Sequence, residues 1–417
     1  VTDIAPARGP AFGAAIRPLW PLAPGIVYLN HGGYGVTPQE VLDVQMALRD
    51  RIESAPSPFF VHDYPGLIRE AAEVVAHWLG VEGRDLVFVE NTTSAVNAVV
   101  RAVPLQPGDG VLITSTTYGA VRNAVLAAAQ SRGAVVVEAE LPFPPPMDAP
   151  DTPAGAAPNS AAANRAMVAA VEAALTPRVR LAVLDHVVSD TGFVLPVAEM
   201  VAAAHARGIP VLVDGAHAPG QVALNVAATG ADWYAGNLHK WAFAPRGCGF
   251  LWAAPDRQDG LVPAVVSWGF GQGFTAGFDW IGTRDPTAWL AAPAGLAFLA
   301  RLGAGRVRAF NHALALEGGR LLTDAWGTAL VTPAGLVGSM LLVPLPERGP
   351  ERGPERGPER VGPGSDREAA LALRLRLWRD HRIEVPVMAR AGRLWVRLGI
   401  QVYNTPEDIA RLGNAVA

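Results

Sequence analysis

The stretch DWYAGNLHKWAFAPRGCGFLWAA occupies residues 232–254. Its two ends, DWYAGN (232–237) and GCGFLWAA (247–254), are short apolar runs that read as buried strands. Between them lies Lys240, the only lysine in a chain whose 34 Lys+Arg otherwise comprise 33 arginines. Arginine stays protonated, whereas a buried lysine can lose its proton. A neutral amine can attack an aldehyde and form a Schiff base. The alternative for a lone lysine is a chance survivor in a surface ion pair.

Outward from this stretch the same pattern repeats. DLVFVE (85–90), GVLITST (110–116), AVVVEAEL (134–141), VRLAVLDHVV (179–188) and PVLVDGAH (210–217) are strand-like. Helical patterns over 92–103, 118–133, 162–175 and 197–207 fall between them. Strands this apolar, alternating with helices, imply a mainly parallel α/β sheet of seven strands covered on both faces. In such sheets ligands bind beyond the carboxyl ends of the strands. After about residue 289 the pattern changes. VGSMLLVPLP (337–346) and RLWVRLGIQVYN (393–404) suggest strands and DREAALALRLRLWRDH (366–381) a helix, which predicts a smaller α+β domain. The expected division is an N-terminal arm over 1–30 that joins the small domain, a large domain over 31–288 and a small one over 289–417. The Pro/Ala-rich run 142–164 and the Glu-Arg-Gly-Pro repeat over 346–365 read as solvated loops.

The bulk numbers narrow the function classes. The chain has 417 residues, 50% hydrophobic and 17% charged, with net charge −4. Mean hydropathy is +0.22, yet no run of about 18 apolar residues predicts a membrane helix. The acidic balance argues against nucleic acid or an anionic membrane and leaves a small molecule as the expected partner. One cysteine, Cys248, excludes an internal disulfide and a multi-cysteine zinc site, so no metal is expected. The first 25 residues lack the basic start and apolar core of a signal peptide, and a reducing cytoplasm is the expected home.

Asp214 ends the strand VLVDG, where sheet ligands bind; its alternative is a turn cap. A pyridine cofactor needs a lysine for its aldehyde, a carboxylate for its ring nitrogen and a cradle for its phosphate. The cradle is visible in VENTTSAVNAVV, where a helix starts on Thr92 and Thr93. An ordinary Asn/Thr N-cap is the competing explanation.

VYLNHGGYG, ENTTSAVNAV, TTYGAVRNA, LDHVVSDTG, VLVDGAHAPGQ, ADWYAGNLHKW, GTRDPTAW and RLGIQVYN follow one another between residues 27 and 404. Together they resemble the class V aminotransferases, fold-type-I enzymes dependent on pyridoxal 5′-phosphate, and within them the isopenicillin N epimerase-like and carbon–sulfur lyase branch. The resemblance implies that Lys240 forms the Schiff base, Asp214 partners the pyridine nitrogen and His217 approaches the ring hydroxyl. It places Tyr118 on the ring face, with core packing as the alternative. Thr92, Thr93, Asn237 and His239 match the phosphate neighbourhood, although His239 could equally pack beside the lysine. Arg397 matches the arginine that grips a substrate α-carboxylate, and Asn30, His31 and Gly32 a segment on the substrate side. Thr283 and Arg284 match a loop that reaches a partner subunit's site, which implies a homodimer with shared active sites. For Arg284 the choice is between a distal substrate anion and a salt bridge to Asp285 or another acid. The implied substrate is an amino acid attacked at Cα or Cβ, with epimerisation or lysis ahead of transamination. A catalytically silent relative is the remaining alternative. Cysteine desulfurase chemistry is not expected, because EVPVMARAGRLWVR (384–397) holds no cysteine and Cys248 lies in an apolar strand.

Overall fold

The computed structural model describes residues 11–147, 160–346 and 363–416. The strands among them are β1 (Val27–Tyr28), β2 (Leu86–Val89), β3 (Gly110–Thr114), β4 (Val135–Ala139), β5 (Val179–Asp185), β6 (Val211–Gly215), β7 (Trp233–Asn237), β8 (Gly249–Ala253), β9 (Met340–Pro344), β10 (Ile383–Glu384), β11 (Val387–Arg390) and β12 (Arg393–Gly399).

Seven of them form one sheet in the order β2-β8-β7-β6-β5-β3-β4. Only β8 runs against its neighbours; the pairs from β7 to β4 are parallel. The seven sequence-read strands are these seven. Successive side chains of a strand point to opposite faces, and the core divides accordingly. Leu112, Leu184, Val213, Tyr234 and Phe250 belong to one buried cluster, with the helices Tyr64–Leu79, Ala161–Ala174 and Val197–His205. Ile113, Val183, Leu212, Trp233 and Leu251 belong to the other, with the helices Thr92–Ala102 and Gly119–Gln130. Both faces are therefore dry, which is why the strands read as continuous apolar runs rather than alternating ones.

A second body of structure follows. Strands β11-β12-β9 make an antiparallel sheet, and the helix Ala304–Trp326 packs with the helix Pro406–Val416 around Leu341, Val343, Val396, Leu398, Ile409 and Leu412. The short β1 pairs in parallel with β10, so Val27 and Leu29 join this cluster from the other end of the chain.

Two loop readings need correction. The run 142–164 ends earlier than expected, because the helix Ala161–Ala174 begins inside it; residues 148–159 lie outside the described ones. The repeat 346–365 lies outside them over 347–362, and its last three residues open the helix Pro363–His381. Proline suits a first helical position, where its missing N–H has no intrahelical partner to lose. No single described helix is long and apolar enough to cross a membrane.

Candidate active site

The turn that carries Lys240 leaves β7 and is clamped by close backbone approach from three distant segments. A Cβ on Gly35 would collide with the His239 carbonyl oxygen, and one on Gly220 with the Trp241 carbonyl. Both glycines sit at positive φ, +67° and +86°, where a side chain is also strained. A Cβ on Gly295 would lie 2.8 Å from the Ala242 carbonyl oxygen. Within the turn Phe243 adopts φ 62°, a conformation that costs about 1–3 kcal/mol and persists only where surroundings enforce it. Its ring is fully buried against Trp20 and Phe298.

His31 fastens the turn from below. Its Nε2 donates to the Lys240 carbonyl at 2.8 Å and its Nδ1 accepts from the Tyr403 hydroxyl at 2.9 Å. Burial pushes its pKa down to about 3, so the ring is neutral, with its one hydrogen on the nitrogen that meets the carbonyl. Both ring nitrogens are thus committed to the protein, and His31 holds the backbone of Lys240. Gly32 beside it leaves room for Met340, Trp241 and His217: a Cβ there would stand 2.7 Å from the Met340 sulfur.

The Lys240 amine lies 2.9 Å from His217 Nε2. Burial, with help from Arg397 and against Asp214, lowers its pKa to about 7. His217 is itself held well below its usual range by burial and by Lys240. With the lysine donating to Nε2, the hydrogen of the neutral ring sits on Nδ1, which is buried without a partner. His239 is neutral for the same reasons, at about 4, and its Nδ1 meets the Cys248 carbonyl at 3.1 Å. That bond belongs to the alternative in which His239 packs beside the lysine.

Asp214 ends β6, 4% exposed, and one carboxylate oxygen accepts from the Ala216 N–H at 2.9 Å. Directly across in the register, Asp185 ends β5. It is equally buried and accepts from the Thr114 hydroxyl at 3.2 Å. Burial raises both pKa values, and Asp214 raises that of Asp185 further. Neither carboxylate forms an ion pair among the described residues. Sequence reading missed Asp185, which only the β5–β6 register brings to the site.

At the end of β2, Asn91 caps the helix by accepting from the Ser94 N–H at 3.1 Å. The capping role falls to Asn91, which leaves the threonines free of it. The Thr92 N–H donates to Asn237 Oδ1 at 2.9 Å, while the buried Thr92 hydroxyl has no partner among the described residues. Thr93 is half-buried on the same turn. Tyr118, just beyond β3, is 48% exposed, so core packing does not account for it.

From the C-terminal side, β12 delivers Arg397, buried and without an ion pair among the described residues. It donates to the Ser189 carbonyl and, at 3.0 Å, to Asn30 Oδ1. Asn30 is braced in turn by Glu384 at 2.9 Å. Arg397 Nε is buried and unpartnered, and burial lowers the group's pKa to about 10. Thr283 is exposed, and Arg284 is engaged by Glu90 and stacked on Trp289 at 4.1 Å. Asp285 pairs with Arg49 instead, at 2.8 Å.

These residues fit a pyridine cofactor on their own evidence. Two buried, unpaired carboxylates call for a cation such as a protonated ring nitrogen, an orphaned His217 N–H for an oxygen acceptor, and an orphaned Thr92 hydroxyl at a helix start for a phosphate. Fold and site together define a fold-type-I pyridoxal-phosphate enzyme. The sequence pattern of the family Aminotransferase class-V matches residues 27–143 and 157–333, and the chain belongs to that family. Its cofactor is pyridoxal 5′-phosphate. The chain is 34% identical to isopenicillin N epimerase of Streptomyces clavuligerus, over 95% of each chain. It is 36% identical to that of Amycolatopsis lactamdurans, again over 95% of each. Putative L-cysteine desulfhydrase 1 of Oryza sativa subsp. japonica is 33% identical, over 94% of this chain and 83% of the relative. Among solved structures, the C-DES protein with glycine covalently linked to its PLP cofactor superposes with TM-score 0.77 at 20% identity, covering 96% of this chain and 98% of that one. A cysteine desulfurase from Thermococcus onnurineus NA1 gives 0.70 at 18% identity, covering 97% of each.

Proposed function

We propose that this chain removes the α-proton of an amino acid, after which Cα either takes up a proton from solvent on the opposite face or expels a β-substituent, as an epimerase or carbon–sulfur lyase. The observation that carries this reading is one cluster holding Lys240, His217, Asp214 and Arg397, in a chain whose near full-length relatives are epimerases and desulfhydrases. When bound, pyridoxal phosphate supplies the electron sink for the pair left at Cα. Arg397 binds the α-carboxylate with its forked N–H groups. The Lys240 amine, near-neutral at physiological pH, takes the proton from Cα. His217 Nδ1 would donate to the ring hydroxyl. Asp214 would keep the ring nitrogen protonated, with Asp185 beside it as a second carboxylate. Thr92, Thr93 and Asn237 would hold the phosphate end, and Tyr118 would cover the ring.

A desulfurase pathway is disfavoured. Cys248 is buried and its thiol pKa is pushed up by burial, which keeps it inert. Strands β11 and β12 are joined by only Ala391 and Gly392, both at positive φ, a tight turn with no room for a mobile loop. Two copies of the chain are proposed to associate through the segment that exposes Val265, Val266, Trp268 and Phe270, at 55–85% of their surface. Thr283 and Arg284 lie shortly after it, and the dimer is expected in the cytoplasm.

The test is an amino-acid panel incubated with holoenzyme. Loss of enantiomeric purity or release of pyruvate supports the reading. Multiple turnovers of amino-group transfer to a keto acid, with neither of those, would establish transamination instead.

A further inference from the structure

Residues that face each other across an antiparallel pair share one side of the sheet. On the β11–β12 hairpin Arg390 faces Arg393 and Met388 faces Trp395, while the Arg397 N–H donates to the Pro386 carbonyl at 3.0 Å. Alternation along β12 puts Arg393, Trp395 and Arg397 on one face, and register adds Arg390 to it. Arg397 stands at one end of this face and Arg390 at the turn end. Arg397 lies four residue steps along the strand from Arg393, about 13 Å at roughly 3.3 Å per residue.

Arg390 differs from its neighbours in how it is held. Its guanidinium lies 4.5 Å from the centroid of the Phe143 ring, just beyond β4. That ring is wedged against Trp395 at 5.3 Å. Arg390 Nε is buried with no hydrogen-bond partner among the described residues. It forms no ion pair among the described residues; Asp190 and Glu140 attract it from beyond that range. Arg393, by contrast, donates to the Leu345 carbonyl at 2.8 Å, and Arg284 is taken by Glu90. A stacked, oriented guanidinium with an unpartnered N–H suits a planar anion.

We propose that Arg390 is a specificity-determining residue that binds a second anionic group, a carboxylate or sulfonate, at the far end of an amino-acid substrate. This rests on the reading that Arg397 holds the α-carboxylate. The strand length between them favours a long amino diacid over a short one. Arg390 thereby takes the distal role that resemblance left open for Arg284.

The test compares binding of L-2-aminosuberate and L-2-aminooctanoate, equal in carbon count and differing in the distal carboxylate, to the holoenzyme by calorimetry. Wild type is expected to prefer the diacid by roughly 10- to 100-fold, the scale of a charge-assisted contact. Arg390→Gln should bring that ratio near one, and Arg390→Lys should keep part of it. Phe143→Leu, which removes the stacking partner and keeps the charge, should lower the ratio and serves if the arginine variants misfold. Arg397→Lys should weaken both ligands alike and leave the ratio standing. A wild-type ratio near one, or an unchanged ratio in Arg390→Gln, overturns the proposal. Absence of α-proton exchange with either compound, while the ratio behaves as expected, sinks the catalytic reading and supports Arg390 as an anion site.

Discussion

The carboxyl edge of the large sheet and the β11–β12 hairpin face contribute to one site on opposite electrostatic plans. On the sheet side, Asp185 and Asp214 are buried without cations, and Lys240, His217 and His239 are all driven towards neutrality. On the hairpin side, Arg397 and Arg390 remain charged and form no ion pair among the described residues. Burying an unpaired charge is costly. The two sides therefore suit groups of opposite charge. The buried carboxylates of the sheet side suit a protonated ring beside an amine that must act as a base. The guanidinium groups of the hairpin side suit a carboxylate-bearing substrate.

The strongest break in this comparison is Lys240→Arg. No other lysine exists to take over, so covalent cofactor and turnover should both be lost, with the visible absorbance of the linked cofactor as the readout. Asp214→Asn should keep the cofactor but slow α-proton exchange on the order of 10²–10³-fold, the scale of one well-placed electrostatic partner. Exchange in deuterated water at the wild-type rate would remove Asp214 from its role. Arg397→Lys should weaken amino-acid binding roughly tenfold while leaving the cofactor spectrum alone, because the charge stays and the fork is lost. Equal wild-type affinity for an amino acid and its decarboxylated amine would move the carboxylate elsewhere.

The smallest effect concerns the apo protein. Burial depresses Lys240 most, Asp214 opposes and Arg397 assists. Its amine should acylate with a midpoint near pH 7, shifted down by Asp214→Asn and up by Arg397→Gln. The linkage has a definite sign. The folded pKa of about 7 lies below the unfolded 10.5, so between them the unfolded chain holds more protons. Stability from this group therefore rises with pH across that window. A flat difference between wild type and Lys240→Met over the same range would contradict it.

The two regions also differ in how much the sequence betrays. The seven strands were legible because burial on both faces leaves continuous apolar runs, and Lys240 because it stands alone among arginines. Asp214 was legible as a strand end and Thr92 as a helix start, whereas Asn237 entered only through the family resemblance. Asp185 was not legible, since its place beside Asp214 depends on the register of β5 against β6. Nor were Gly35, Gly220 and Gly295, whose contacts with the lysine turn come from segments far away in the chain. His31 was singled out, but its hold on the Lys240 carbonyl is invisible in the sequence. Arg390 was hidden among 33 arginines, and only the hairpin's pairing puts it on the face of Arg397.

The most direct test of the central claim is borohydride reduction of the purified holoenzyme followed by peptide mass analysis. The account expects one phosphopyridoxyl increment, on Lys240 within residues 236–247, and none in the Lys240→Arg variant. An unlabelled 236–247 peptide, or an equal increment in that variant, would contradict it.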